Sequence, residues 1–541
     1  MSKNIEFSNK KMIEGICKSV DAIAKTLGPK GSCVAIQNSW GNPDITRDGV
    51  TVSKSIVLKD PAMNMGAQLV RSAASKTEEQ AGDSTTTTSI LVREMVIRGE
   101  RFISNGANLN EVKDGMEFAV KYVKDFIKDH AIPVDGDLEK IKKVATISAN
   151  NDPEIGDFIV QCMEKVGIHG IITADTTSEL NTKVDIVSGF KVARGWASPH
   201  FVTTPEDGKC TMENPVIAVI GEKISSVPQI LPIIEGSIKT LGGRPLLIFC
   251  DDMDENVLTT IVMNVLQGAL RCCVVKGIDF GENRKNIHAD IATATGATFI
   301  CPEYGINSSE MSVENLGFAD KVVISKDSCI IYKGHGDKDE IEERLSILNK
   351  RLQDPGLSDY EKNKLESRIS CLSGGIGIIQ AGGANDIEKQ NKKATIEDAI
   401  LASKSAVSEG VVPGAGSIFL KAGLSGLEFL KTYNGLTKDE FSGAELVFSS
   451  LKSITKTLGD NSGENGDVII EKILSHNESN PEDLYFGYNA KTNKFGDLLE
   501  MGILDSAKVL RVSLENSVSA ASMCLLTCCT ITDEESTEKK E

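Results

Sequence analysis

Apolar side chains near the start of the chain recur at helical spacing: Met12, Ile13, Ile16, Val20, Ile23 and Leu27 fall on one helix face. The pattern stops at Gly28-Pro29, a helix-breaking pair. A second helical stretch runs from about Thr85 past Ile103. A third follows Asn108, suited to an N-cap with Glu111 three residues on, and its apolar face is Leu109, Val112, Met116, Val120, Val123 and Ile127. Between Val216 and Cys301 the period changes. Val216–Ile220, Pro245–Phe249, Cys272–Val275 and Thr298–Cys301 are strand-like, and the stretches Pro228–Thr240, Glu255–Gln267 and Asn283–Thr295 between them are amphipathic. That alternation predicts an α/β unit with an at least partly parallel sheet.

Glu340–Leu352 and Ser358–Leu372 read as two charged helices joined at Asp354-Pro355-Gly356, an exposed antiparallel pair. A strand, Ile376–Gln380, follows Gly374-Gly375, and from Ile387 the chain is again mainly helical. The charged end, Glu534–Glu541, is expected to fray. The order helical, mixed, α/β, mixed, helical is compatible with one domain inserted into another, although the pattern alone does not bring the two helical ends together.

A length of 541 residues suggests about three or four domains at roughly 100–200 residues each. With 40% apolar and 25% charged residues the chain can bury a large core, which excludes wholesale disorder. The formal net charge of −18 repels phosphate backbones and anionic lipids, so neither nucleic acid nor membrane is an expected partner. A small anion held by backbone amides and a metal remains compatible. The longest apolar runs, such as Pro245–Cys250, fall well short of the about 20 residues of a membrane span. Met1–Asn9 is polar and resembles no signal or transit peptide, so a cytoplasmic location is expected. The 13 cysteines, odd in number and sparse, argue for reduced thiols. Cys272-Cys273 and the group Cys524, Cys528 and Cys529 read as small buried apolar residues, with a metal or redox site at the latter group as the alternative.

Four segments offer chemistry. Gly82-Asp83-Ser84-Thr85-Thr86-Thr87-Thr88 opens a helix whose first-turn amides are unpaired and partly positive, which suits phosphate. Its hydroxyls add donors, and Asp83 is a hard oxygen ligand for Mg²⁺. A lone threonine run is more often an ordinary capped helix. Thr26-Leu27-Gly28-Pro29-Lys30-Gly31 permits close backbone approach beside a lysine, but it is no Walker A loop and taken alone is a helix end with a turn. Thr46-Arg47-Asp48-Gly49-Val50 is a strand-flanked Asp-Gly, either a hairpin turn or a carboxylate beside a phosphate. Gly410–Gly416, a few turns beyond Glu397-Asp398 on an amphipathic helix, is by itself a helix-breaking loop. Other candidates fail. Asp252, Asp254 and Asn256 have EF-hand spacing, but Val257 and Met263 stand where the glycine and the bidentate glutamate belong. His130, His169, His200, His288, His335 and His476 form no HxxxH pair, and Gly375-Ile376-Gly377 lacks the third glycine of a dinucleotide fingerprint.

Taken together and in order, these segments resemble group I chaperonins, the GroEL type. Thr26–Gly31, Thr46–Val52, Gly82–Thr88, Ile147-Ser148-Ala149-Asn150, Glu397-Asp398-Ala399, Gly410–Gly416, Gly487-Tyr488-Asn489-Ala490 and Met501-Gly502-Ile503-Leu504-Asp505 all match, and the resemblance runs from Lys3 to about Asp533. It implies an α/β multidomain, GroEL-like fold. A mainly helical equatorial ATPase domain would comprise residues 1–129 and 409–541, a small α/β intermediate hinge domain 130–186 and 376–408, and an inserted α/β apical domain 187–375. The resemblance also implies an ATP-dependent chaperone that binds unfolded polypeptides and encapsulates them in the cavity of a homo-oligomeric, heptameric ring, with a lid co-chaperonin as a further partner. ATP and Mg²⁺ are the implied cofactors, with K⁺ as a third candidate.

Position by position, the resemblance implies that Gly28 and Pro29 contact nucleotide phosphates, with Thr26, Leu27, Arg47, Gly82, Gly414 and Ala415 in the same binding set. Asp83 would ligate Mg²⁺, Thr85, Thr86 and Thr87 would hold phosphate oxygens, and Asp48 would lie by the γ-phosphate. Asp398 would enter with the intermediate domain to position or deprotonate the attacking water, which makes Asp48 and Asp398 the catalytic residues. Asn489, Ala490, Ile503 and Asp505 would line the adenine and ribose pocket. Phosphoryl transfer needs positioned oxygens, a metal and an oriented water, and supplying Asp398 from a separate domain would couple hydrolysis to closure. Trp196, Phe201, Leu231, Ile234, Leu258, Val262 and Met263 match the family's apolar substrate-facing positions, with core packing as the other reading.

The chain also departs from the family's pattern. Ser84 and Ala415 replace glycines, each adding a Cβ where backbone approaches nucleotide. His200 replaces a tyrosine, and the family's Gly-Gly-Met tail is absent. Asn465 and Lys456 replace a glutamate and an arginine near the expected ring–ring contact, which points to weakened stacking and single rings. Two other readings compete: an ATP-binding scaffold or passive holdase with weak hydrolysis, and a conventional ATP-dependent enzyme, for which the α/β region offers no second catalytic constellation.

Overall fold

Small residues set the helix packing at the start of the chain. In the computed structural model, which describes residues 3–37, 43–134, 136–149, 151–168, 170–177, 179–204, 208–239, 241–279, 281–308, 311–352, 354, 359–373, 375–480 and 483–533, Lys10–Ala24 forms the expected first helix. Asn150, His169, Thr240, Pro355, Gly356, Ser358, Gly374 and 534–541 lie outside these residues. Packed on the first helix is one that hydrophobic periodicity does not reveal, Pro61–Ala81, with Asp60 as its N-cap and Pro61 in its first turn. It buries mainly Ala62, Gly66, Ala67, Ala73, Ala74 and Thr77, so its apolar contrast is low. The two helices approach through their glycines: a Cβ on Gly15 would lie 2.0 Å from Met63 O, and one on Gly66 2.0 Å from Met12 O.

Thr85–Ser104 and Leu109–Asp129 form as expected. Asn108 caps the latter, accepting from Asn110 N at 3.2 Å and donating to Glu111 Oε1 at 2.9 Å. These helices share one core with Ala507–Leu526, through Ile90, Leu91, Met95, Val123, Leu510 and Leu514. Lys3–Glu6 pairs antiparallel with Thr530–Asp533, so the two helical ends of the chain do meet. They belong to one compact unit, Met1–Val160, Ala174–Lys183 and Gln380–Glu541.

The second unit, Gln161–Thr173 and Val184–Ile379, is built on a mixed sheet. Phe299–Ile300, Val216–Ile224, Leu246–Met253 and Cys272–Lys276 lie side by side and parallel, as the alternation predicts. Leu231–Lys239, Glu255–Leu266 and Gly281–Thr295 are the connecting helices. Gly317–Ile324 joins Val216–Ile224 antiparallel, followed outward by Cys329–Gly334 and Lys183–Val192. Cys250, Cys272, Cys273 and Cys329 are buried in this sheet, and burial pushes the Cys250 thiol up to about 12, which fits inert apolar packing. Cys524 is likewise buried, whereas Cys528 is exposed.

The charged helices Lys338–Leu352 and Asp359–Ser373 pack on one another, but the expectation of a merely exposed pair is corrected. Leu348 and Leu365 are buried, and two arginines turn inward to a fully buried Asp290 on Gly281–Thr295. Arg344 Nε donates to Asp290 Oδ1 at 2.9 Å, and Arg368 donates through Nε to Oδ2 at 2.6 Å and through Nη2 to Oδ1 at 3.0 Å. Breaking a buried pair costs about 3–5 kcal/mol, and Arg344 would retain part of the compensation. Arg368→Ala is therefore expected to destabilise the second unit by about 3 kcal/mol, read by denaturant unfolding. A loss below about 1 kcal/mol would show that the cluster is solvated like a surface pair.

Candidate functional site

Thr85, Thr86 and Thr87 open helix Thr85–Ser104, and the chain enters it through Gly82, Asp83 and Ser84. Gly82 takes φ +80°, and a Cβ there would lie 2.0 Å from Leu401 Cβ. Ser84 at φ +65° and Ala415 at φ +55° hold left-handed backbone that suits glycine, at a cost of about 1 kcal/mol each. Beneath the turn is a buried polar network. Thr88 Oγ1 lies 3.1 Å from Thr77 Oγ1 and 3.0 Å from Ser513 Oγ, Asn516 Nδ2 donates to Thr77 Oγ1 at 3.1 Å, and Ser517 Oγ donates to Thr88 O at 3.2 Å. Sequence reasoning missed Ser513, Asn516 and Ser517. Their i, i+3, i+4 spacing on an otherwise apolar helix was the available signal.

Asp48 is not in a hairpin turn. It follows the strand Asp44–Thr46 and caps the helix Gly49–Ser55, accepting from Val50 N at 3.1 Å and Thr51 N at 2.8 Å. Gly49 is required there because a Cβ would lie 2.3 Å from Thr86 Oγ1. Thr26 Oγ1 lies 3.4 Å from Thr86 Oγ1, so three separate segments converge on the threonine turn. Arg47 donates through Nη2 to Gly31 O, and its Nε is buried without a partner.

The segment from Thr26 to Gly31 is fastened on two sides. Asn461 Nδ2 donates to Ala24 O at 2.8 Å and Leu27 O at 3.0 Å. Lys30 Nζ donates to Asn493 Oδ1 at 2.7 Å, in the hairpin formed by Phe486–Asn489 and Lys494–Asp497. That places Gly28 and Pro29 in the same fastened loop as Lys30. In the hairpin, Asn489 Oδ1 accepts from Lys491 N at 3.0 Å, and Ala490 is buried. The expected loop Gly410–Gly416 contains a short strand, Val411–Pro413, paired with Leu504–Ser506. Gly414 N donates to Ile503 O at 3.0 Å, and a Cβ on Gly414 would lie 3.0 Å from Asp505 Oδ1.

Asp398 lies on helix Asp386–Glu409, which packs over this site: Ser405 Oγ donates to Ala81 O at 3.1 Å and Asn391 Nδ2 to Ile45 O at 3.2 Å. Burial holds the Asp398 carboxyl well above the usual range, reinforced by the charges of Asp83, Asp48, Glu78 and Glu397. Burial also raises Asp83, against hydrogen bonds from Ser148 Oγ and Ser84 N, and Asp48 raises it further. Asp505 is pushed up to about 7 by burial and then by Asp83. Glu78 and Ser148 went unassigned, the former because its helix was missed. The space beside Asp83, bounded by Ser148, Ala402 and Asp505, is about 20 Å³, enough for one water. Among the described residues no three carboxylates or other ligand side chains converge to hold a metal ion by themselves. The donor set still fits Mg²⁺ carried by a nucleotide, since that ion takes one or two carboxylates and completes its shell with phosphate oxygens and water.

In the second unit the apolar set divides. Leu231 and Met263 are 43% and 50% exposed, while Ile234, Leu258 and Trp196 are half-buried, with Trp196 Nε1 donating to Gly208 O at 3.2 Å. Phe201 and Val262 are corrected to core positions, 2% and 8% exposed, because their side chains pack into the sheet's apolar cluster. Ile238 and Leu266, which sequence reasoning missed, are exposed on the same two helices as Leu231 and Met263. In the first unit Asn465 caps helix Gly466–Ser479, accepting from Asp467 N at 3.0 Å, and Lys456 pairs with Asp467 at 2.6 Å.

Residues 20–535 match the model of the TCP-1/cpn60 chaperonin family. Among solved structures the chain is similar to the chaperonin gp146 from the bacteriophage EL 2 (Pseudomonas aeruginosa), crystallised in the presence of ATP-BeFx, with a TM-score of 0.71 and 20% identity over 97% of this chain and 98% of that one. At that identity the likeness is one of fold.

The raised carboxylates set a pH dependence. Their folded pKa values exceed the ordinary 3.8, so their ionisation opposes folding: the Asp505 penalty is absent below about 3.8 and complete above about 7, and Asp83 and Asp398 act in the same direction. A cation that requires the ionised forms must displace protons. Mg²⁺-nucleotide affinity is therefore expected to fall as pH drops, with proton release on binding that Asp83→Asn reduces. Calorimetry in buffers of different ionisation enthalpy checks this, and affinity independent of pH between 5.5 and 7.5 would refute it.

Proposed function

The chain belongs to the TCP-1/cpn60 chaperonin family, and on that premise we propose that it is an ATP-hydrolysing chaperone that captures unfolded polypeptides and encloses them in a homo-oligomeric ring. One observation carries the reading: Asp48, Asp83 and Asp398, from three distant stretches, act on one another electrostatically at a threonine-lined helix N-terminus. In the proposed division, residues 1–129 and 409–541 form the nucleotide-binding domain, 130–186 and 376–408 a hinge, and 187–375 the client-binding domain.

In this reading Thr85, Thr86 and Thr87 and the first-turn amides hold phosphate oxygens. Asp83 would hold Mg²⁺, which neutralises phosphate charge when bound. Asp398, whose proton affinity is raised by burial and by the neighbouring carboxylates, orients the attacking water and takes its proton. Asp48 holds the Gly49–Ser55 helix start beside the threonine hydroxyls. Client capture falls to the exposed residues Leu231, Ile238, Met263 and Leu266. Because Lys456 is paired and Asn465 is occupied as a cap within the same chain, neither is free for a second ring, which supports single rings checked by mass measurement across salt and nucleotide conditions. The holdase reading draws on Ser84 and Ala415, whose side chains fill places that suit glycine.

Asp398→Ala is expected to leave nucleotide binding nearly intact and slow hydrolysis by about 10²–10⁴-fold. A variant hydrolysing at the parental rate would remove Asp398 from the chemistry, and a parental rate indistinguishable from zero would favour the holdase. Leu231→Ser with Met263→Ser is expected to weaken binding of a denatured client about tenfold or more while sparing ATPase rate and melting temperature, since each exposed contact is repeated around a ring. Unchanged client binding would move the client surface elsewhere.

A further inference from the structure

Between the middle of helix Thr85–Ser104 and the stretch from Lys452 to Asp467, the first unit holds a cavity of about 260 Å³, far larger than the 20 Å³ beside Asp83. Arg93, Arg98, Lys452 and Lys456 line it. The three carboxylates in its wall are already engaged: Glu94 with Arg98 at 2.6 Å, Asp467 with Lys456 at 2.6 Å, and Asp460 by accepting from Gly466 N at 3.0 Å. Arg93, whose side chain is 19% exposed, gives one N–H to Asp21 at 2.8 Å. Lys452 makes no ion pair among the described residues. Ser453 is 5% exposed, and its Oγ is buried without a hydrogen-bond partner.

The lining therefore carries four cationic side chains against three carboxylates, each of which already accepts through one oxygen. The remaining guanidinium N–H groups of Arg93 and Arg98 and the Lys452 ammonium can donate to acceptor oxygens, and the buried Ser453 hydroxyl has no partner of its own. A tetrahedral oxyanion supplies several at once, and guanidinium groups match it in charge and geometry. We propose that this cavity is a binding site for a phosphoryl oxyanion, separate from the nucleotide site. Arg93 lies eight residues beyond Thr85 on one helix, about 12 Å along its axis, so the two sites share an element without sharing a ligand. Free inorganic phosphate and the phosphate group of a larger molecule present the same chemistry.

The test is equilibrium binding of inorganic phosphate, and in a second arm pyrophosphate, to the full-length assembled protein with ADP and Mg²⁺ saturating the nucleotide site. Phosphate is expected to bind with ADP present, and Lys452→Ala and Arg93→Gln are each expected to weaken it about tenfold or more, with ADP affinity and melting temperature little changed. Ser453→Ala should weaken phosphate severalfold. Tighter pyrophosphate binding would support a larger phosphorylated ligand, and tighter phosphate binding the free ion. Phosphate binding that ADP abolishes, equal affinity in all three variants, or binding only by the dissociated chain would overturn the proposal. If ADP itself fails to bind, the nucleotide reading falls while the phosphate arm and its variants still decide this one.

Discussion

Burial of carboxylates, reinforced by their neighbours' charge, is the constraint on which the first unit turns. Asp48, Asp83, Asp398 and Asp505 come from four stretches of chain, yet burial and one another's charge raise the proton affinity of Asp83, Asp398 and Asp505. Water would screen such a group on a surface; here burial removes much of that screening, and the arrangement is costly in its ionised form. Amide donors to Asp48, hydroxyl and amide donors to Asp83, and the rigid polar network under Thr88 hold it together. In the proposed reading, a cation carried in with its own oxygen ligands would relieve that repulsion.

What could be read from the chain follows the range over which each signal acts. The parallel strands of the second unit declare themselves locally, because a strand buried on both faces is a continuous apolar run. Pro61–Ala81 did not, because it buries small side chains and packs by backbone proximity at Gly66. Asp48-Gly49 carries the same local signature whether it closes a hairpin or caps a helix, and only the strand before it and the threonines facing it decide. Val262 and Met263 are neighbours on one helix, yet one is core and the other solvent-facing, because about 100° of rotation separates adjacent residues and the sheet beneath selects the buried one. The convergence of Asp48, Asp83 and Asp398 has no local signature and was accessible only through resemblance.

The two units solve the problem of charge differently. In the second, Asp290 is fully buried but satisfied by the two arginines it meets, so the cluster is closed and structural. In the first, Asp83, Asp398 and Asp505 are buried near other carboxylates and make no ion pair among the described residues. A buried charge met by its counter-ions fastens helices, whereas buried carboxylates without counter-ions are costly when ionised.

The strand pair that joins Lys3–Glu6 to Thr530–Asp533 has a consequence for how the molecule comes into being. The second unit is a single long stretch plus a short one just before it, so it can close on itself while the rest of the chain is still being synthesised. The first unit cannot, since its core needs Ala507–Leu526 from the far end. Until then the early helices Lys10–Ala24 and Pro61–Ala81 have one another but lack the far-end helix that completes their core, and the strand pair that joins the ends is the longest loop closure among the described residues.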